Sequence, residues 1–130
     1  MSFTLGKQER LKSKKVIGQL FNKEGQSFAI YPLRVVWLKT TLDSSFPMQF
    51  AVSVPKRRFK KAVDRNHLKR QIREAYRLNK LPAYEYLEKK EQQVAFMILY
   101  TGKEKIPYIE IEKKMNLLLK RFVHSIKKNG

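Results

Sequence analysis

The stretch FKKAVDRNHLKRQIREAYR, Phe59 to Arg77, sets a dense series of lysines and arginines against two acids, Asp64 and Glu74. Yet it threads Ala62, Val63, Leu68, Ile72, Ala75 and Tyr76 through those charges. Projected on an α-helix at about 100° per residue, Leu68, Ile72, Ala75 and Tyr76 fall in one arc. Arg65, Asn66, Lys69, Arg70, Arg73 and Arg77 fill the neighbouring arc. The apolar arc calls for a surface to seat on, and the basic arc then faces outward along the helix. Arg65, Lys69, Arg73 and Arg77 recur every fourth residue, which matches a polyphosphate backbone in length and charge. An ordinary solvated helix face would intersperse acids, and Asp64 and Glu74 are the ones near. Asn66 offers both a donor and an acceptor to a ribose or base edge.

Working outward, Pro82 limits this helix, because proline lacks the amide proton of a continuing turn and restricts the residue before it. AYEYLEKKEQQ, residues 83–93, reads as a connector with room for a helical turn. QVAFMILY, residues 93–100, is nearly continuously apolar, as in a strand buried on both faces. In the segment 107–128, Ile111, Met115, Leu118, Leu119, Phe122 and Ile126 share one helical face. Pro107 suits its first turn, and Glu110 and Glu112 early with lysines late match the helix dipole. Upstream, FAIYPLRVVWLKT (28–40) and MQFAVSVPK (48–56) are rich in β-branched and aromatic residues and flank the turn-like TLDSSFP. They are expected as two antiparallel strands, with an earlier strand beginning at Phe28 and Pro32 marking an edge or bend. KQERLKSKKVIGQLFNKEG carries Leu11, Ile17, Leu20 and Phe21 near helical spacing before Gly25, which predicts a short basic helix near residues 13–23. The order α-β-β-β-α-β-α predicts an α/β (α+β) two-layer sandwich, with helices packed on a mostly antiparallel four-stranded sheet.

No internal repeat or low-complexity linker divides the 130 residues, so a single domain spanning 1–130 is expected. With 42% hydrophobic residues, including fifteen aromatics, the chain can bury a core. The net charge of +18 exceeds what solubility needs and opposes compaction by self-repulsion, so a polyanionic partner is expected. Nucleic acid leads, and an anionic membrane surface is the lesser candidate. No apolar run approaches the roughly 20 residues that span a bilayer. MSFTLGKQERLKSKK has no apolar core after its charges, so neither anchor nor signal peptide is read and a cytoplasmic protein is expected. The absence of cysteine excludes disulfides, thiolate zinc sites and a Cys nucleophile.

A metal-dependent protein nuclease needs clustered carboxylates as hard oxygen ligands. Asp43 and Asp64 are isolated in sequence, and the glutamates mostly sit among lysines. His67 and His124 have no partners at metal-ligand spacing and read as helix-face residues. Gly102-Lys103 lacks the rest of a P-loop. The sequence therefore points to nucleic-acid binding without a self-sufficient active site.

AVDRNHLKRQIREAYR resembles the signature helix of the bacterial ribonuclease P protein component: Ala-Val, one residue, Arg-Asn, two residues, Lys-Arg, two residues, Arg. Ala62, Val63, Arg65, Asn66, Lys69, Arg70 and Arg73 match it. RLKSKKVIGQLFNKEG is similar to the family's first helix, FAVSVPKR to the strand before the signature helix, and VAFMILY to the strand after it. The resemblance implies a left-handed βαβ crossover through the signature helix, against the general right-handed preference. It also implies a protein subunit of an endoribonuclease whose chemistry resides in its RNA. With magnesium, that RNA removes the 5′ leader from precursor tRNA, and the protein is expected as a monomer in a 1:1 ribonucleoprotein, away from membranes. By the same resemblance, Arg65, Asn66, Lys69, Arg70 and Arg73, with Arg77 beside them, contact the RNA subunit, and magnesium is expected near Arg65 and Asn66 only when RNA is bound. Phe21 and Lys56 are expected to contact the leader in a cleft between sheet and first helix.

Two departures bear on that cleft. Ile17 and Val36 stand where the family usually has aromatics, so these leader-binding positions lack a stacking ring. VPKRRFKKAV, residues 54–63, is about one residue longer than the common form, and bulky and basic residues replace its usual glycine. The alternative function is a non-catalytic ribosomal or other structured-RNA-binding protein using the same basic helix.

Overall fold

The computed structural model describes residues 5–22 and 25–129. After a 3₁₀ turn at Lys7–Glu9 come α1 (Lys14–Leu20), β1 (Gln26–Ile30), β2 (Leu33–Lys39) and β3 (Met48–Ser53). Then follow α2 (Ala62–Asn79), α3 (Leu81–Lys89), β4 (Val94–Tyr100) and α4 (Tyr108–Asn129). The strands form one sheet in the order β1-β2-β4-β3, antiparallel except for the β3–β4 pair. This is the expected sandwich of helices on a mostly antiparallel four-stranded sheet.

The sequence of elements departs from expectation in two places. β2 and β3 do run in opposite directions, but they are not neighbours: β4 lies between them, with Trp37 and Phe50 both in register with Phe96. The apolar run of β4 explains this, since a strand covered on both faces and both edges is the most buried position in the sheet. The second departure is α3, which occupies the segment expected as a connector. Pro82 ends one helix and opens the next, because a proline at the first turn loses no hydrogen bond. Ala83, Tyr84 and Leu87 form the buried face of α3. α1 starts where Ser13 caps it, the Ser13 hydroxyl accepting from Val16 N at 3.3 Å. The helix ends earlier than expected, at Leu20, with Phe21 as its C-cap and Asn22 in a bend, and residue 23 lies outside the described residues. Pro107 sits just before α4, and its carbonyl accepts from Glu110 N and Ile111 N.

Strand alternation divides the interior. Leu33, Val35, Trp37, Met48, Phe50, Val94, Phe96, Ile98 and Tyr100 point to one face, where Leu68, Ile72, Ala75 and Tyr76 of α2 and the apolar stripe of α4 meet them. Trp37 and Phe96 both meet Phe122 edge-on, at 5.1 and 5.0 Å between centroids, and Phe50 stacks on Tyr76 at 3.9 Å. At about 1.5–3 kcal/mol for each large apolar side chain removed from water, this face supplies the larger share of the hydrophobic stabilisation. On the other face a smaller cluster of Leu11, Leu20, Val36, Leu42, Ala95 and Met97 lies beneath α1 and the N-terminal arm.

The arm is pinned by a buried ion pair. Glu9 Oε1 lies 2.5 Å from Lys80 Nζ and accepts from Tyr84 Oη at 2.8 Å. Its Oε2 accepts from Gly6 N at 2.9 Å. Tyr76 and Tyr84 hydroxyls are 2.9 Å apart. Two ions taken from water are tolerated when each oxygen finds a donor, as here. The residues concerned lie seventy-one positions apart, and the pairing fixes the neighbouring Arg10 beside β3, where Leu11 N donates to Phe50 O at 2.9 Å.

Candidate nucleic-acid interface

Two basic surfaces emerge from this framework. The first is the outward face of α2. A concavity of about 510 Å³ there is lined by Arg10, Asn66, Arg70, Arg73 and Arg77, with Glu74 at its side. Asn66 and Arg70 are exposed and Arg73 is half-buried. The Arg73 pKa is lowered, first by burial and then by the charge of Arg10. Like charges held together beside a groove are unfavourable in the protein alone and are relieved by an anion.

Both acids of α2 are engaged. Asp64 accepts from Lys105 at 2.7 Å, and that hydrogen bond holds its carboxyl below the usual range. Glu74 pairs with Arg77, whose Nε donates to Oε2 at 3.1 Å; the contact lowers the Glu74 pKa and raises that of Arg77. Arg65 is drawn inward: Nη1 donates to Phe59 O at 2.7 Å and to Lys60 O at 3.0 Å, fastening the chain that enters the helix. Lys69 is half-buried and does not line the concavity. Of the six expected RNA contacts, the structure therefore gathers Asn66, Arg70, Arg73 and Arg77 in one groove, with Arg65 and Lys69 outside its lining. Arg10 joins them from the arm, a placement that local sequence could not reveal because it depends on the distant Glu9–Lys80 pair.

The second surface is a cleft of about 360 Å³ on the lightly covered face of the sheet. The end of α1, β2 and the turn after β3 enclose it. Phe21 projects from its wall, 57% exposed, and Val36 forms part of its buried floor. Gly25 permits the closeness: a Cβ there would lie 2.1 Å from Leu20 O and 3.2 Å from Val36 Cγ1. Ile17 is half-buried against the smaller core and does not line the cleft. Lys56 is exposed in the adjoining turn but is not part of the lining; Arg57 and Arg58 are. Arg34 completes the basic side, its Nη2 donating to Ser27 Oγ at 3.0 Å. Sequence reasoning missed Arg34, although its period-two alternation with Leu33 and Val35 places it on the face of Val36.

Among the described residues, no group of three or more His, Asp or Glu side chains could hold a metal ion. On the α2 face the oxygen donors are Asn66 and Glu74, and Glu74 is already engaged by Arg77. That donor set does not fit a magnesium site built by this chain. His67 and His124 are exposed on helix faces. No helix among the described residues is long and apolar enough to cross a membrane.

The ribonuclease P family pattern matches residues 5–123. A ribonuclease P protein component of Porphyromonas gingivalis is 34% identical over 125 residues, covering 96% of this chain and 90% of that protein. One from Rippkaea orientalis is 37% identical over 76 residues, covering 57% and 59%. The solved RNase P protein of Thermotoga maritima superposes with a TM-score of 0.66 at 25% identity, covering 87% of this chain and 96% of that one. The Staphylococcus aureus RNase P protein, at 20% identity and a TM-score of 0.65, covers 86% and 93% and shares the fold. With its signature helix, sheet order and almost full-length match in agreement, the chain belongs to the ribonuclease P protein family.

Proposed function

We propose that this chain, as the protein component of ribonuclease P, grips the catalytic RNA with the α2 groove and holds the 5′ leader of precursor tRNA in the cleft beneath α1. The observation that carries this reading is the separation of two basic surfaces on opposite sides of one sheet. The α2 groove is a cluster of guanidinium groups suited to the phosphates of a structured RNA. The cleft is smaller, carries the exposed ring of Phe21, and suits a single strand.

Chemistry is assigned to the RNA partner. Among the described residues neither surface offers a carboxylate cluster or a nucleophile–base pair, and magnesium, which would supply the activated water and charge stabilisation for phosphodiester hydrolysis, is assigned to the RNA phosphates. This chain's residues bind, orient and neutralise. Arg70 and Arg73 offset RNA charge, Arg65 holds the entrance of α2 in shape, and Phe21 positions the leader. The working unit is one protein with one RNA in the cytoplasm.

Reconstitution tests the proposal. Mixed with a bacterial ribonuclease P RNA at low magnesium, the protein should restore cleavage of precursor tRNA and leave a 5′-phosphate on the mature product. Purified protein without RNA should leave labelled precursor intact. Failure to stimulate the RNA, or cleavage by protein alone after stringent nuclease removal, would overturn it.

A further inference from the structure

We infer that Glu9, Lys80 and Tyr84 are positioning residues for RNA binding: their buried contact sets the register of the N-terminal arm and so holds Arg10 at the α2 groove. This rests on the reading of that groove as the surface for structured RNA and deepens it by naming what assembles it.

Among the described residues that line the groove, Arg10 is the cation that α2 does not carry. Its own charge does not keep it there. Arg10 lies near enough to Arg73 for its charge to lower that group's pKa, so the two guanidinium groups repel. The hold comes from the residues on either side. Glu9 is 2% exposed and Leu11 5%, whereas Arg10 between them is exposed, on extended backbone that turns successive side chains to opposite sides. Leu11 packs into the smaller core. The arm's backbone is tied to β3, with Gln49 Nε2 donating to Gln8 O at 3.1 Å and Leu11 N to Phe50 O at 2.9 Å.

Glu9 makes the register specific, because the site that receives it is built for a carboxylate. Lys80, at the junction of α2 and α3, is 1% exposed, and Tyr84 Oη and Gly6 N donate to the two carboxylate oxygens. A slip of the arm by one residue would set Gln8 or Arg10 against the Lys80 ammonium. The first leaves a buried charge uncompensated, and the second adds another beside it. Both are costly, so one register is selected. A buried ion pair gives little net stability over an apolar pair of similar volume, and selecting one arrangement is what it adds here. The selected arrangement brings Arg10 to Arg73, and an RNA that meets both favours the docked arm in turn.

The test measures binding of the full chain to a ribonuclease P RNA across a salt series. A Glu9→Ala, Lys80→Met double variant cuts the tether, leaves no buried charge unpaired, and removes one charge of each sign, so the net charge stays at +18. Both side chains are sealed from RNA. Affinity should nevertheless fall about three- to tenfold near physiological salt, with a logarithmic salt slope shallower by about one unit, and Arg10→Gln should show the same two changes. Combining all three substitutions should cause no further loss, because the tether acts through Arg10. A further loss of the same size would overturn the inference, since the pair would then support the fold at large, and so would wild-type affinity and slope in the double variant. Circular dichroism melts show whether the double variant folds. If it does not, Tyr84→Phe, which removes one donor to Glu9 and keeps the ring beside Lys80, decides by the same outcomes with and without Arg10→Gln. If Arg73→Ala weakens binding and Arg10→Gln does not, the tether is overturned and the groove reading stands. If neither weakens it, the groove reading falls and the tether with it.

Discussion

The two faces of the sheet are made from alternating residues of the same strands, yet they are finished differently. On one, α2, α3 and α4 lie over large side chains and seal them. On the other, α1 and the arm cover a smaller cluster and leave a basic cleft at the end of β2. Burial and recognition compete for the same surface, because a side chain sealed from water cannot meet a ligand. This chain assigns the first face to stability and leaves part of the second available. The outer side of α2 adds a further basic surface at no cost to the core, since a helix can bury one arc and expose the next.

The sealed face should therefore respond to mutation through stability. Trp37→Ala should lower the unfolding free energy by about 3–5 kcal/mol, because it empties space beneath Phe122 that its neighbours cannot fill. Denaturant unfolding followed by circular dichroism measures this. A loss below 1 kcal/mol, on the order of a surface substitution, would break the contrast between the faces.

The open face should respond through binding. Phe21 is exposed, so Phe21→Leu keeps most of the apolar volume and removes the ring. Holoenzyme affinity for leader-bearing precursor should fall by up to about 1–3 kcal/mol, the range for a base stacked on an aromatic, with mature tRNA unaffected. Equal losses for the two RNAs, or a lower melting temperature that accounts for them, would move Phe21 into the structural class.

These faces were not equally legible in the sequence. The buried stripes of α2 and α4 could be read because helical period is local: Leu68, Ile72, Ala75 and Tyr76 all reach the core, as do Ile111, Met115, Leu118, Leu119, Phe122 and Ile126. The apolar run of β4 likewise signalled a strand buried on both faces. Its insertion between β2 and β3 was not legible, since strand order depends on pairings made across the whole chain. Arg10 reaches the α2 groove through the Glu9–Lys80 pair, and Arg57 and Arg58 reach the cleft through the burial of Phe59; neither dependence has a local period. Nor did the four-residue spacing on α2 show that Arg65 donates to the backbone carbonyls of Phe59 and Lys60.

The hydroxyls of Tyr76 and Tyr84 sharpen the comparison through pH. Burial raises the pKa of both well above the ordinary tyrosine value. In the unfolded chain each ionises near pH 10, while the native state keeps its proton. Their contribution to stability is thus fully present below about pH 10 and is lost as pH climbs from there toward the native values, at about 1.4 kcal/mol per pH unit for each group. Urea unfolding across this range should show the decline, and Tyr76→Phe should remove one tyrosine's share of its slope. An equal slope in the variant would mean that Tyr76 is not sealed.

The smallest expected effect separates two arginines of the same helix. Arg73 faces the groove beside Arg10, whereas Arg65 is turned onto the carbonyls of Phe59 and Lys60. On the proposed reading Arg73→Ala removes a charge that meets phosphate, so binding to the RNA subunit should weaken and its logarithmic salt slope should fall by roughly one unit. Folding stability should change by no more than about 0.5 kcal/mol, as for other surface substitutions. Arg65→Ala should do the reverse in kind: its hydrogen bonds contribute about 1 kcal/mol to the entrance of α2, and their loss should appear as a lower melting temperature. Salt titrations of RNA binding, run beside thermal melts of both variants, read the two effects separately. If Arg65→Ala lowers the slope as much as Arg73→Ala while leaving the melt unchanged, Arg65 leaves those carbonyls to meet RNA, and the regular four-residue spacing is the better description of the interface.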